Sequence, residues 1–473
     1  MTEDFSAIGL TVAILLPWLT GTLLARLALW GECPLTLKLA HGYLLGNFAT
    51  IVLIRICDAL GWQFSFWGIC ASLGILSIIA LLSTSILRSR PSFNSTQILK
   101  PEPVRLLAWH WFVLTILLGL TLIQVFAIAQ EIILRPTFPW DAWRGWEPKT
   151  IQYFTSQSLY AEMFTIGNYG EISPQIHLWA MLGANSSTSP STHLPWLFAF
   201  LAIGLAIYGQ CRINCSFIAS AIAGAAVMSL PYLSIHAALA GYADIWLALA
   251  FTLGIITVIN LSQAKSFRLI ILTLIYAYIC LQSKRAGFGM SLIILLCLFV
   301  STCNNKKWLA VSSSAITIGL LFLWGLVFVG KTEITLPLPE GNSVSLTPDQ
   351  LKIPGIANFS FNEISAITPL YEALFKFGSW HLTIVLLLLS VGYAITHRTL
   401  DNISKISLAA IASGFIYVGI YFSVISPMAA ENHTGLSRSL LYMMPLCIYL
   451  SIYLYHRAIL EARDKQTCPS GAP

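Results

Sequence analysis

Seven charged side chains stand where an apolar chain has no routine use for them. Asp141 and Glu147 are six residues apart in the run Pro136-Thr137-Phe138-Pro139-Trp140-Asp141-Ala142-Trp143-Arg144-Gly145-Trp146-Glu147-Pro148-Lys149. That spacing lets both carboxylates face one cavity from a short helix or turn. Two acids beside cations at a membrane surface can do general-base or metal chemistry on a phosphorylated substrate. Asp244 follows Gly241-Tyr242-Ala243 at the start of an apolar segment. There it either caps free N–H groups or faces a cavity. Lys284 and Arg285 form a dibasic hairpin between two apolar segments, suited to lipid-phosphate snorkelling or to clamping a phosphate. Arg438 enters an apolar helix, where it must find a partner or an anion. His433, five residues earlier, is a candidate ligand or base, although a single exposed histidine is more often neither.

Trp140, Trp143 and Trp146 admit two readings. Indole rings with flanking charges form the usual belt at the water–lipid boundary. A belt needs no acid, so Asp141 among them points to function. Trp140 and Trp143 would desolvate that carboxylate in part and suit it to a base role.

The elements that must position these residues are membrane spans. Mean hydropathy is +0.76, and only 10% of residues are charged against 57% hydrophobic. Soluble proteins carry about 25% charged residues. Apolar stretches of spanning length recur, which predicts an all-α polytopic membrane protein of about 13 spans with amphipathic helices in its exterior loops. The expected spans are 5–29, 37–60, 63–88, 106–134, 192–211, 214–235, 241–262, 267–283, 286–303, 308–329, 378–397, 404–426 and 438–457. The first is too long for a signal-peptide core and has acids before it, so it reads as a retained span.

Arg88, Arg90, Lys100 and Arg105 concentrate in one connector, which the positive-inside rule places in the cytoplasm. The N-terminus then lies outside and the C-terminus inside. That choice puts 16 of the 26 basic residues on the cytoplasmic side, with only 5 of the 20 acids. The candidate charges all fall on the exterior side.

The chain divides into an N-terminal three-span segment with its cytoplasmic connector (1–105), a transmembrane module with the first exterior loop (106–330), a second exterior loop (331–377) and a C-terminal three-span segment (378–473). In the first loop, 153–169 reads as an amphipathic helix lying on the membrane. The stretch 170–182 is apolar but short, so it reads as re-entrant or interfacial. The second loop is polar, with Pro337, Pro339, Pro348 and Pro354, and is expected to cap the first. No disulfide scaffold or structural zinc is expected from the ten cysteines, and no nucleic-acid motif is present.

In the order of these elements the chain resembles the GT-C-type polytopic glycosyltransferases, which use polyprenyl-phosphate sugars, the dolichyl-phosphate-mannose mannosyltransferases among them. The resemblance runs from about residue 106 to the C-terminus. It rests on Trp140-Asp141-Ala142-Trp143, on Gly170-Glu171-Ile172-Ser173-Pro174 and on Gly241-Tyr242-Ala243-Asp244. It also rests on Ser283-Lys284-Arg285-Ala286-Gly287, where relatives often show Lys-x-Glu-Gly, and on Ser437-Arg438-Ser439-Leu440-Leu441. The glutamate of that pattern is absent here, and the acid loop follows the fourth expected span rather than the first.

The resemblance implies an inverting transfer on the exterior face, from a polyprenyl-phosphate-linked sugar to a glycan, lipid or protein acceptor. Asp141 would be the base, with Glu147 beside it. Lys284, Arg285 and Arg438 would hold the donor phosphate. Trp140, Trp143, Lys149, Asp244 and His433 would complete the substrate site. A Mg²⁺ shared by Asp141 and Glu147 is compatible with this scheme but not required by it. The implied location is a bacterial inner membrane, with membrane lipids as neighbours. A rival reading, an O-antigen-type polymerase or ligase, would lean on the 331–376 loop, His433 and Arg438 instead. A lipid-linked-glycan transporter ranks third, because the span centres are apolar and no internal symmetry is visible.

Overall fold

A computed structural model describes residues 5–29, 33–88, 107–160, 170–302, 334–337, 343–346, 350–353, 357–360, 367–422 and 434–467. Seven of its helices are long and apolar enough to cross a membrane. They include α1 (Ala7–Ala28), α2 (Leu35–Ala59), α3 (Phe66–Arg88) and α4 (Ala108–Leu134). After α4 come a π turn (Ala142–Trp146), α5 (Glu147–Ser156) and α6 (Ile172–Ala184). A 3-10 turn (Pro190–His193) then runs into α7 (Leu194–Asn214), the fifth. α8 (Phe217–Met228) and α9 (Pro231–Ala238) make one more span if counted together, bent by 57° at the break before Pro231. α10 (Asp244–Gln263) is the sixth. α11 (Phe267–Ser283) and α12 (Ala286–Thr302) are shorter. Beyond them lie α13 (Ile367–Tyr371), α14 (Thr383–Thr396), α15 (Asn402–Ile420, the seventh), α16 (Thr434–Leu440) and α17 (Met444–Thr467). The protein is therefore a helical, multi-pass membrane protein.

Among the described residues the count stays below thirteen for local reasons. α11, α12 and α14 are apolar but only 17, 17 and 14 residues long. The expected span 308–329 lies outside the described residues. The stretch expected as one span at 438–457 is broken. α16 ends at Leu440, and α17 starts at Met444 with Pro445 in its first turn, where a missing N–H costs nothing.

The all-α expectation also needs correction in the second loop. β1 (Ile334–Pro337), β2 (Ser343–Leu346), β3 (Gln350–Ile353) and β4 (Ala357–Ser360) form one antiparallel sheet in the order β1-β2-β3-β4. Ile334 pairs with Leu346, Ser345 with Lys352, and Gln350 with Ser360. The two-residue alternation in Ser343-Val344-Ser345-Leu346 and Gln350-Leu351-Lys352-Ile353 is a strand signal that the proline count obscured. In the first loop, the helix expected over 153–169 is instead α5, ending at Ser156; residues 161–169 lie outside the described set.

α10 is the axis of the bundle. In its most apolar window 89% of residues are buried, against 6% for α4, which faces lipid along most of its length. α6 is also buried rather than interfacial, with Leu178, Ala180 and Met181 fully enclosed. α1 and α2 pack closely through small residues. A side chain at Gly46 would place a Cβ 1.7 Å from the Pro17 carbonyl oxygen, so only glycine permits this approach.

Contacts at the helix ends sort into two faces. At one, Asp58 at the end of α2 accepts hydrogen bonds from the Leu159 N–H (2.8 Å) and the Ser158 hydroxyl (3.1 Å), and the Glu171 N–H donates to the Gln282 carbonyl at the end of α11 (2.9 Å). At the other, Arg268 at the start of α11 donates to the Leu27 carbonyl at the end of α1 (3.0 Å). There Asp401 before α15 accepts from Tyr453 and pairs with Arg457 on α17 (2.5 and 2.9 Å). Every described candidate charge belongs to the first face.

Candidate functional site

The site begins with the first residue of α10. Asp244 is fully buried, and its carboxylate is saturated. Oδ1 accepts from Lys284 Nζ at 2.6 Å and from the Tyr442 hydroxyl at 2.6 Å. Oδ2 accepts from Arg438 Nη2 at 2.8 Å and Nε at 3.2 Å. No side-chain cap bond forms at this helix start, so the capping reading of Asp244 gives way to an anchoring one. A buried carboxylate is tolerable only when paired and hydrogen-bonded, and here four donors converge on it.

Arg438 continues the chain of charge. Its Nη1 pairs with Asp141 Oδ2, so one guanidinium links two carboxylates from distant parts of the sequence. The guanidinium also lies 4.3 Å from the centroid of the Tyr242 ring, and Lys284 Nζ lies 5.5 Å from that of Tyr442. Burial pushes the Lys284 ammonium below its ordinary value, and the Asp244 charge opposes that shift. The two acids differ in freedom. Asp244 has no exposed surface, whereas the Asp141 side chain is 26% exposed.

The loops are shaped to hold this arrangement. Asp141 sits at the head of the π turn, a rare geometry that recurs at functional sites. Gly241 has φ +100°, and a Cβ there would fall 2.7 Å from the Ala142 Cβ, so the loop before α10 can press against the π turn only with glycine. Trp196 Nε1 donates to the Tyr242 carbonyl at 2.7 Å, and Trp146 meets the Tyr242 ring edge-on at 5.9 Å between centroids. Buried Trp146 is thus a packing residue.

Trp140 and Trp143 point outward, 59% and 56% exposed, with ring centroids 5.8 Å apart and Arg144 over Trp140. Both rings present most of their surface outward, as belt residues do.

The other expected residues lie elsewhere. Lys149 is buried and pairs with Glu171, which also accepts from the Tyr153 hydroxyl at 2.9 Å. That second network continues through Gln175 to Arg55 on α2 (2.9 Å) and on to the Tyr278 hydroxyl (2.9 Å). Lys149 is therefore committed to Glu171 and ties α5 to α6. Glu147 accepts from the Thr137 hydroxyl at 2.8 Å, which itself lies 3.3 Å from His193 Nε2. Burial pushes the Glu147 carboxyl up, against the Thr137 hydrogen bond. The Arg285 side chain is exposed and makes no hydrogen bond or ion pair among the described residues. His433 lies outside the described residues.

Asp141 and Glu147 take different partners. Among the described residues no group of three or more His, Cys, Asp or Glu side chains is placed to hold a metal ion.

Sequence reasoning missed Tyr442 and Glu171. Tyr442 follows Arg438 by four residues, a helical spacing that could have paired them. Glu171 sits inside the quoted Gly170-to-Pro174 run but was given no role. His177 and His193, with ring centroids 4.0 Å apart, carried no spacing signal.

Two cations and two carboxylates thus form one chain, Lys284–Asp244–Arg438–Asp141, at one end of the bundle. Such an arrangement can accept an anion at its basic members, and it leaves one acid, Asp141, able to change partner. No family model, curated protein or solved structure matches this chain.

Proposed function

We propose that this protein is a glycosyltransferase that moves a sugar from a polyprenyl-phosphate donor to an acceptor at the exterior face of a bacterial inner membrane. The observation that carries the reading is the shared guanidinium: Arg438 holds the partly exposed Asp141 on one side and the buried Asp244 on the other.

In this reading Asp244 fixes Lys284 and Arg438 in place before any substrate arrives. The donor phosphate docks on those two cations and competes with Asp141 for Arg438. The freed Asp141 carboxylate then takes the proton from the acceptor hydroxyl. The acceptor oxygen bonds to the anomeric carbon from the face opposite the phosphate. The bond from that carbon to the phosphate oxygen breaks, and its electron pair leaves on the phosphate, countered by Lys284 and Arg438. The configuration at that carbon is inverted. Arg285, exposed next to Lys284, is free to meet the phosphate as it enters. Trp140 and Trp143 lie at headgroup level beside the entry.

The test uses purified protein, a polyprenyl-phosphate sugar and detergent-solubilised membrane acceptors, with release of free polyprenyl phosphate as the readout. Asp141→Asn is expected to lower release by about 10²–10⁴-fold, the usual contribution of a positioned base. Unchanged release in that variant removes Asp141 from the mechanism. Arg438 at the centre of the cluster also suits an O-antigen-type polymerase or ligase. That enzyme would lose activity in Arg438→Gln and keep it in Asp141→Asn.

A further inference from the structure

The half-helix α9 carries a histidine nitrogen that the fold leaves idle. α9 turns 57° away from α8 at Pro231, which has no N–H to continue the earlier helix. Two contacts hold the turned piece. His381 Nε2 donates to the Ser229 carbonyl at 2.9 Å, and Gln124 on α4 donates to the Ser234 hydroxyl. Tyr232 and His236, four residues apart, share another side of α9, with ring centroids 4.8 Å apart.

His236 is 2% exposed, and its Nδ1 is buried with no hydrogen-bond partner among the described residues. By contrast, the buried His41, His177 and His193 each spend a ring nitrogen, on Tyr276, Thr192 and Thr137 in turn. A buried polar atom left unpaired destabilises the fold, which asks what pairs with it when the protein works.

The surroundings of the ring point to the partner. It lies 5.6 Å, centroid to centroid, from Tyr242, the ring on which the Arg438 guanidinium rests. The charges that act on it are Asp244, Arg438 and Lys284. Asp244 already accepts from Lys284, Arg438 and Tyr442, so its oxygens are taken. Nδ1 can carry a proton in the neutral imidazole and always does in the charged one. As a donor beside two cations, it suits an anion that those cations bring in. We propose that His236 Nδ1 donates to the phosphate held by Lys284 and Arg438, as a third N–H that stays idle until the lipid phosphate arrives. This rests on the reading above in one respect, that a polyprenyl phosphate docks on those two cations; it does not depend on sugar transfer. A phosphate presents enough oxygens for Lys284, Arg438 and His236 at once, whereas the Asp141 carboxylate it displaces pairs with Arg438.

The full chain in detergent is titrated with polyprenyl phosphate and, separately, with uncharged polyprenol of the same length, and binding is read by native mass spectrometry. His236→Phe fills similar space without the nitrogens. It is expected to melt no lower than wild type, because the orphaned atom is gone. It should bind polyprenyl phosphate about tenfold more weakly or worse, the value of one hydrogen bond to a charged group, with polyprenol binding unchanged. His236→Asn, whose amide nitrogen lies near the Nδ1 position, should recover most of that affinity; His236→Gln, whose amide reaches the Nε2 position, should not. The proposal is overturned if His236→Phe binds polyprenyl phosphate as wild type does, or if it loses both lipids equally, which marks a packing residue. It is also overturned if the wild type binds polyprenyl phosphate no better than polyprenol. Binding that depends on His236, in a protein that never releases polyprenyl phosphate from a sugar donor, would sink the transferase reading and leave this site standing.

Discussion

Asp244→Asn removes the charge on which two buried cations depend. The asparagine keeps the shape of the side chain but leaves Lys284 without the carboxylate it touches and Arg438 with Asp141 alone. The Lys284 and Arg438 side chains are only 16% and 17% exposed, so water can replace little of what is lost. Removing one partner of a buried charge pair costs about 3–5 kcal/mol, a factor of about 10²–10⁴ in the ratio of folded to unfolded protein. The comparison is Asp141→Asn. There Arg438 retains both bonds to Asp244, and the pair removed is partly open to solvent, so the cost is about 1 kcal/mol or less. The assay is thermal unfolding of both variants in one detergent, followed by tryptophan fluorescence and by size-exclusion recovery. Asp244→Asn should melt well below wild type, and Asp141→Asn close to it. Equal melting temperatures for the two variants would refute the division of labour between an anchoring and a working carboxylate.

Burial raises the Glu147 carboxyl, so its stabilising contribution is full below the unfolded-state pKa of about 4.3 and is lost as pH rises through the folded value. Glu147→Gln, which cannot ionise, should therefore gain stability over wild type at pH 8 and show little difference near pH 4; a gain that grows toward acid pH would contradict this. Gly241→Ala must force φ +100° on an alanine and push its Cβ against Ala142. A loss of about 1–3 kcal/mol in thermal unfolding, with lowered transfer, is expected, and wild-type behaviour would show that the π turn is not held by this loop. Lys149→Met strands the Glu171 carboxylate beside Tyr153 and should lower stability more than it alters the apparent affinity for the donor; the reverse pattern would return Lys149 to the substrate site.

What could be read from the chain follows a physical division. Charges inside apolar sequence are costly, so Asp141, Asp244, Lys284 and Arg438 identified themselves one by one, and the structure brings these four together. Which charges pair is a tertiary matter. Lys149 looked equivalent to Lys284 in sequence, yet α5 packs against α6 so that Lys149 meets Glu171. The orientation of helices could be followed because spans alternate direction: Asp58, Gln282 and Asp141 had to share a face. Span limits were less legible. Pro445 and Pro231 break apolar runs that hydropathy alone treats as continuous. The strands at 334–360 are four residues each, too short for their alternation to stand out among prolines. The Trp140–Trp143 pair illustrates the limit for aromatic residues, since belt and pocket wall have the same composition and only their exposure tells them apart.

The most direct test is a cryo-EM structure of the protein with a polyprenyl phosphate bound. The account predicts the phosphate on Lys284 and Arg438, Asp244 unmoved beneath them, and the Asp141 carboxylate turned away from Arg438 toward the open side of the site. A phosphate bound elsewhere on the molecule, or Asp141 still paired with Arg438 in the occupied protein, would contradict it.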